Sequence, residues 1–206
     1  MLGRIAPDAN ARAGFSALPR TMLAFQFPVP SSCMFPCELP DFQVIAHVRS
    51  PYAQRIDAPH QPTVTAGTES GRAEIATIEF IDGFPQAAFR DLQGFDRIWL
   101  IFLFHRSEGW KPEVRPPRGG GKRSVLATRS PHRPNALGLS AVKLLAVEPN
   151  ALTVQGIDLL DGTPILDIKP YVPYSDAFAD SSAGWIDALD AVQGRHSAPG
   201  PRKPRR

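Results

Sequence analysis

The sequence has few cysteines, no long apolar run and no recognisable metal motif. Its two cysteines, Cys33 and Cys37, are separated by three residues in the segment CMFPC, and no CxxC pair or CxxH follows at ligand spacing. This pattern argues against a zinc site, and in a cytoplasm both thiols would stay reduced. No stretch approaches 18 apolar residues, so the sequence predicts no membrane span.

Several common catalytic motifs are also absent. No GxGxxG follows a strand, which argues against a dinucleotide-binding fold. There is no HExxH and no GxSxG, so neither a zinc protease nor a serine hydrolase elbow is indicated. Gly119–Lys122 reads GGGK but lacks the earlier spaced glycine of a phosphate loop, and we interpret it as a flexible loop.

Length and composition indicate one globular domain with tails. The 206 residues are 43% hydrophobic and 21% charged, enough to bury a sizeable core. Residues 1–40 have no steady period and are rich in Ala, Pro and Arg, which predicts a flexible extension. A transit peptide and an upstream start codon are two readings of that extension. Residues 41–180 form the predicted domain, and residues 181–206 a short helix and a basic tail.

Seven short apolar runs within residues 41–180 predict β-strands. Most alternate or are rich in β-branched and aromatic residues, and Gly, Pro, Asn and Asp separate them. They are FQVIAHV, AEIATIEF, RIWLIFLF, RSVLATR, LGLSAVKLLAVE, ALTVQGIDLL and PILDIKPY. RIWLIFLF is apolar throughout, so we expect it to be buried on both faces. This pattern predicts a mainly β fold, an antiparallel barrel or a sandwich.

Connections and helices follow from the residues between those runs. Glu148–Asn150 and Asp161–Gly162 have the composition of hairpin turns. FPQAAFRDL predicts a short helix between strands, and SAGWIDALDAV predicts a second one after the last strand.

Positive charge is concentrated in two places although the net charge is only +3. The tail from Arg195 to Arg206 carries +5, and the segment from His105 to Arg133 carries +6. The second segment lies within a body, residues 41–194, whose net charge is −3. This contrast predicts an anionic partner, the alternative being a solvated loop.

The loop ATRSPHRPN joins two of the predicted strands and is both cationic and stiff. Pro131 and Pro134 restrict the backbone that carries Arg129 and Arg133. A stiff loop loses less entropy when a ligand docks, and arginine binds carboxylates and phosphates through two hydrogen bonds. We therefore interpret it as a ligand-orienting element, the alternative being arginines that cap backbone carbonyls.

Two further places carry polar residues at strand ends. His105-Arg106 follows RIWLIFLF, a position that fits a pocket mouth. Asp167 and Lys169 share one face of a strand, where they form either a structural ion pair or a carboxylate tuned by an ammonium.

The segments HVRSPY, FHRSEGWKPEVRPPRGG, ATRSPHRPNALGLS and LLDGTPILDIKPY resemble, in order, the tRNA threonylcarbamoyladenosine methyltransferase family, also called TrmO or TsaA-like. The resemblance runs from about Asp41 to about Tyr174. It implies a single-sheet antiparallel β-barrel that binds S-adenosylmethionine, forms a homodimer and acts in the cytoplasm. It also implies methylation of the exocyclic nitrogen of threonylcarbamoyladenosine beside the tRNA anticodon.

The resemblance also implies roles for individual residues. The cofactor-binding positions would be Pro59, His60, Gln61, His105, Arg106, Arg129, Leu139, Leu160, Asp161, Gly162 and Thr163. The substrate-binding positions would be Arg133 and Asn135, and the catalytic ones Asn135, Asp167, Lys169 and Tyr171. The chain departs from the family in two places, with His60 where the family often has arginine, and with Ala136-Leu137 where it commonly has Pro-Ile.

Two other functions fit the same residues. One is a non-catalytic β-barrel that binds RNA through the basic loop and tail. The other is an enzyme that uses S-adenosylmethionine on a small molecule, or hydrolyses it, without RNA.

Overall fold

Six strands of the described residues close into one antiparallel barrel. The computed structural model describes residues 41–54, 74–117, 119–178 and 180–193. The barrel strands are β1 (Ala46–Arg49), β2 (Ile75–Phe80), β3 (Arg97–Leu103), β6 (Leu137–Val147), β7 (Ala151–Gln155) and β8 (Pro164–Pro170). Their order around the barrel is β1-β2-β7-β6-β3-β8, with all neighbours antiparallel. The prediction of a mainly β, single-sheet antiparallel barrel is confirmed.

The remaining described elements are short and lie between or after the barrel strands. Strands β4 (Glu113–Val114) and β5 (Arg123–Ser124) form a separate two-stranded sheet. The two α-helices are α1 (Pro173–Asp176) and α2 (Trp185–Gln193). Three 3-10 turns cover Gln86–Ala88, Arg90–Leu92 and Val125–Ala127. Among the described residues, no helix has the length and apolarity that a membrane crossing requires.

The core fills the inside of the barrel with alternate residues of each strand. In β3, the side chains of Ile98, Leu100 and Phe102 are at most 2% exposed, whereas those between them are partly exposed. The expectation that this run is buried on both faces is therefore wrong. A single closed sheet has only one interior, and full burial of an aliphatic side chain contributes about 1.5–3 kcal/mol there.

The outer face of β3 is apolar because the chain after β8 packs on it. The Trp99 indole N–H donates to Asp176 Oδ2 at 2.9 Å, and the Trp99 and Tyr171 rings lie 5.5 Å apart. This partial cover accounts for an apolar residue at an outward position of the strand.

The RSVLATR segment is not the strand that its composition predicts. Only Arg123 and Ser124 pair in a sheet, because their partner β4 is itself two residues long. Val125 then enters a 3-10 turn and packs in a buried position. Arg129 consequently belongs to a loop and not to a strand end.

The turn predictions have mixed outcomes. Glu148–Asn150 connects β6 to its neighbour β7, so that hairpin is confirmed. Asp161–Gly162 is a turn, with Gly162 at φ +74°, but it leads into β8, which pairs with β1 and β3 and not with β7. Barrel closure, which brings distant strands together, decides this pairing.

The predicted helix in FPQAAFRDL is instead two 3-10 turns, Gln86–Ala88 and Arg90–Leu92, whereas the predicted helix in SAGWIDALDAV is confirmed as α2. Phe89, which separates the two turns, is buried in the core, and its ring stacks on Phe80 at 4.0 Å. Packing of that ring therefore accompanies the break between the turns.

Helix α2 packs on the segment that leads to Arg129. The Trp185 indole N–H donates to the carbonyl of Ala127 at 2.9 Å, and the Arg123 guanidinium carbon lies 5.3 Å from the Trp185 ring centroid. The side chain of Leu189 also lies close to Gly120. The helix thus supports one wall of the cleft described below.

We expect Trp185→Ala to lower the free energy of unfolding by about 1–2 kcal/mol, because one hydrogen bond and one cation–π contact are lost. Urea unfolding measures the change, and faster amide exchange at residues 125–129 would locate it. Val192→Ala on the same helix is the control, since Val192 is 84% exposed. Equal unfolding curves for both variants would show that α2 does not support this wall.

Candidate functional site

A cleft of about 740 Å³ opens at one end of the barrel. Four segments line it: residues 101–107 at the end of β3, the loop 126–135, residues 137–140 at the start of β6, and the loop 158–163. Its size falls within the range of about 300–1,000 Å³ that is usual for small-molecule sites. The walls are mainly apolar, with cationic side chains from two of the loops.

The loop that carries the two arginines is fixed by hydrogen bonds. Arg133 Nη1 donates to the Thr128 carbonyl at 2.8 Å, and the Thr128 hydroxyl donates to the Val125 carbonyl at 2.8 Å. On the other side, Ser107 Oγ lies 3.0 Å from both the Pro131 carbonyl and His132 Nδ1. The two prolines therefore act together with a network that holds the loop in one shape.

Arg129 and Arg133 have different surroundings. The Arg133 guanidinium caps a carbonyl of its own loop, as the structural interpretation of these arginines predicts. The Arg129 guanidinium, in the part of the chain that the structure describes, makes no hydrogen bond or ion pair, although it lines the cleft. Arg129 is therefore available to an anionic group of a ligand.

His105 and Arg106 form the opposite wall. Burial, together with the charges of Arg106 and His47, holds the pKa of His105 below its usual value, so the imidazole is neutral at neutral pH. Arg106 Nη1 donates to the Ala53 carbonyl at 2.7 Å, which ties this wall to the segment after β1. A neutral imidazole is able to accept or donate a hydrogen bond without adding charge.

Asp158 is a carboxyl group in the cleft that sequence reasoning did not single out as functional. The Ser140 hydroxyl, only 2% exposed, donates to its Oδ1 at 2.9 Å. Burial raises the pKa of Asp158 to about 6, although the Ser140 hydrogen bond and the Arg129 charge act in the opposite direction. The signal in the sequence is an acidic residue between Ile157 and Leu159, which are both buried in the core.

The backbone of the cleft is strained at Ala136. This residue is buried and has a φ of +45°, a left-handed conformation that is uncommon outside glycine and clusters at functional sites. Proline cannot adopt this φ. The chain has Ala136 where the family commonly has proline, and the backbone conformation here is one that proline could not adopt.

Half of the residues predicted to form the site line the cleft. They are His105, Arg106, Arg129, Arg133, Asn135, Leu139, Leu160 and Thr163. Asp161 and Gly162 form the turn between the last two, where Asp161 Oδ1 accepts the Ser50 N–H at 3.1 Å. Pro59, His60 and Gln61 lie outside the described residues, as do both cysteines and the basic tail.

Asp167, Lys169 and Tyr171 do not line the cleft. They lie on β8 and directly after it, and Asp167 pairs across the sheet with Ile101, which does line the cleft. Lys169 lies opposite Trp99, two residues further along the strand, and its ammonium is 2.8 Å from Asp167 Oδ2. The ion-pair interpretation is confirmed, and Asp167 is the member nearest to the cleft by strand register.

Metal ligation has no support in the described residues, which contain no group of three or more His, Cys, Asp or Glu that could hold an ion. The polar side chains that line the cleft carry guanidinium, imidazole, hydroxyl and amide groups and one carboxyl group.

A comparison with family models matches residues 47–177 to the tRNA-methyltransferase O N-terminal domain. A crystal structure of TrmO from Pseudomonas aeruginosa is 38% identical, with a TM-score of 0.60, over 73% of this chain and 64% of that one. The matched span includes every residue that lines the cleft.

Two curated relatives match this chain over similar shares of its length. A Pseudomonas aeruginosa protein described as putative S-adenosylmethionine-dependent methyltransferase RcsF is 46% identical over 70% of this chain and 62% of its own length. The tRNA (adenine(37)-N6)-methyltransferase of Escherichia coli is 38% identical over 74% of this chain and 66% of its own length. The chain therefore spans just under two thirds of these relatives.

Proposed function

Because the chain belongs to the family of the tRNA-methyltransferase O N-terminal domain, we propose that it is an S-adenosylmethionine-dependent tRNA methyltransferase. Its target would be the exocyclic nitrogen of threonylcarbamoyladenosine beside the anticodon. The observation that supports the proposal is the Arg129 guanidinium, which makes no hydrogen bond or ion pair with a described residue, in a cleft whose other walls hold the matching motif residues.

The residues of the cleft fit S-adenosylmethionine. Its volume of about 740 Å³ is ample for a ligand of that size, and Leu139 and Leu160 offer apolar surface to an adenosine. Arg129 would bind the carboxylate of the amino-acid part, and Thr163 with its neighbouring turn would hold the nucleoside. When bound, the cofactor supplies a methyl group on a sulfonium, which is already a good leaving group.

The contribution of this chain is mainly positioning. Holding the nucleophilic nitrogen about 3–3.5 Å from the methyl carbon, in line with the sulfur, converts a bimolecular reaction into an effectively unimolecular one. The hydrogen-bonded loop supports this role because it keeps Arg129, Arg133 and Asn135 in fixed positions. Asp167, Lys169 and Tyr171 would contact the substrate at the rim.

The partners in this proposal are tRNA and a second copy of the chain. The basic loop supports phosphate binding, which would weaken as salt rises. Leu126 and Leu139 at the cleft are 72% and 53% exposed, and a second copy would cover such apolar side chains. Light scattering of the purified chain tests the homodimer, and we propose the cytoplasm as the compartment.

The decisive experiment is transfer of labelled methyl from S-adenosylmethionine to tRNA that carries or lacks the threonylcarbamoyl group. We expect label only in the modified tRNA, and at 100 times its Kd the cofactor should stabilise the chain by about 2.7 kcal/mol. Tight tRNA binding without label would favour the RNA-binding barrel. Turnover of the cofactor without RNA would favour the small-molecule enzyme or the hydrolase.

A further inference from the structure

Asp158 is the one carboxyl group among the described residues that lines the cleft. It follows β7 in the loop that leads to β8, and its hydrogen bond from the buried Ser140 of β6 holds it against the wall. A partly buried acid that forms no ion pair with a described residue is costly, so its presence in the cleft needs a reason. The Arg129 guanidinium is near enough to influence it but forms no ion pair with it.

The other acid considered for the reaction is already engaged. Asp167 Oδ2 is 2.8 Å from the Lys169 ammonium, and Asp167 Oδ1 accepts the N–H of Ile168 at 2.9 Å. Proton uptake by Asp167 would have to weaken these contacts. Asp158 has one neutral side-chain partner, the Ser140 hydroxyl, and it lies in the cleft itself.

We propose that Asp158 is the proton acceptor of the reaction, and that Ser140 positions it. This inference rests on the proposed function. In the step, the target nitrogen forms a bond to the methyl carbon while the carbon–sulfur bond breaks, and that electron pair stays on sulfur as a neutral thioether. The proton on the methylated nitrogen passes to the Asp158 carboxylate and later to water.

The titration of Asp158 agrees with this geometry. Its pKa of about 6 places the ionised form in excess at neutral pH while keeping it a stronger base than an exposed aspartate. The titratable and charged groups that face it or share the cleft are Arg129, Tyr52, His105, Arg106, His132 and Arg133. Two of these side chains, His105 and His132, are imidazoles, so the pH profile is also measured in Asp158→Asn.

The test compares Asp158→Asn with the exposed control Asp82→Asn. In the wild type, kcat/KM for modified tRNA should rise with pH along a limb centred near 6. Asp158→Asn should lose about 100-fold in kcat at pH 7 and lose the limb, while calorimetry gives a Kd for S-adenosylmethionine within threefold of wild type. Asp82→Asn should match wild type in all three measurements.

Ser140→Ala is a second, independent test of the role of Asp158. The Ser140 hydrogen bond lowers the pKa of Asp158, so its removal should move the limb to higher pH. Carbon-detected NMR of the free protein measures the same pKa without turnover. The change in the Asp158 pKa that NMR measures would remain even if the wild type methylated no tRNA. Failure of the proposed function is therefore distinguishable from failure of this inference.

Three results would overturn the inference. The limb could persist in Asp158→Asn, which would assign it to a histidine. The Kd for S-adenosylmethionine could rise with kcat unchanged, which would make Asp158 a counter-ion to the cofactor. If Asp158→Asn does not fold, a limb that stays in place in Ser140→Ala overturns it instead.

Discussion

Replacing Arg129 with alanine should raise the Kd for S-adenosylmethionine roughly 10- to 100-fold, because a charge-assisted hydrogen bond to a ligand carboxylate contributes about 1.5–3 kcal/mol. Methyl transfer at subsaturating cofactor should fall by the same factor. The thermal midpoint should hardly change, since this guanidinium makes no hydrogen bond or ion pair to the described residues. Calorimetry and a melting curve of the same preparation check both statements.

Two companion variants make the Arg129 result interpretable. Arg133→Ala should instead destabilise the loop, because its guanidinium donates to the Thr128 carbonyl. Arg90→Ala removes an exposed arginine that does not line the cleft, and it should leave both the Kd and the melting curve unchanged. An unaltered Kd in Arg129→Ala would remove the observation on which the proposed function rests.

Replacing Gly138 with alanine should lower the free energy of unfolding by about 3 kcal/mol, and by enough to make the chain difficult to purify. A Cβ at this position would lie 2.1 Å from Phe102 Cε2. Phe102 is 2% exposed and fills the barrel where the cleft begins, so its ring has little room to move. Urea unfolding measures the loss.

The double variant Gly138→Ala, Phe102→Leu tests the cause of that loss. Leucine lacks the ring atoms that the new methyl group would meet, so the double variant should be more stable than Gly138→Ala alone. Phe102→Leu by itself measures the cost of the smaller side chain. If the double variant is no better than the sum of the single ones, crowding at Phe102 is not the reason for the glycine.

Local patterns predicted most of the barrel but not the wall that holds Arg129. The alternating runs around Val48, Ile78 and Val154 were sufficient because period-two burial is a property of each strand alone. RSVLATR was misread because its composition suits a strand, whereas its only sheet partner is two residues long. A partner's length is not visible in the segment itself.

The sequence likewise identifies some residues of the candidate site, whereas others are recognisable only in the structure. The motif residues His105, Arg129 and Leu160 were identified from the sequence, and the cleft contains all three. Nothing local distinguishes Arg129 from Arg133, yet Arg133 caps a carbonyl whereas Arg129 makes no hydrogen bond or ion pair with the residues that the structure describes. Asp158 was passed over because its importance depends on Ser140, which is 18 positions away in sequence.

By itself, the sequence determined most of the strands, the family resemblance and the stiffness of the cationic loop, since hydrophobic period, motif order and proline geometry are local quantities. Only the tertiary structure decided which strands are neighbours, which arginine is available to a ligand and which acid lines the cleft. Those depend on closure of the barrel, which brings the start of β6 against the loop before β8. Contacts between residues that are far apart in the sequence set the environment of a charged group, and that environment sets its pKa and its availability to a ligand.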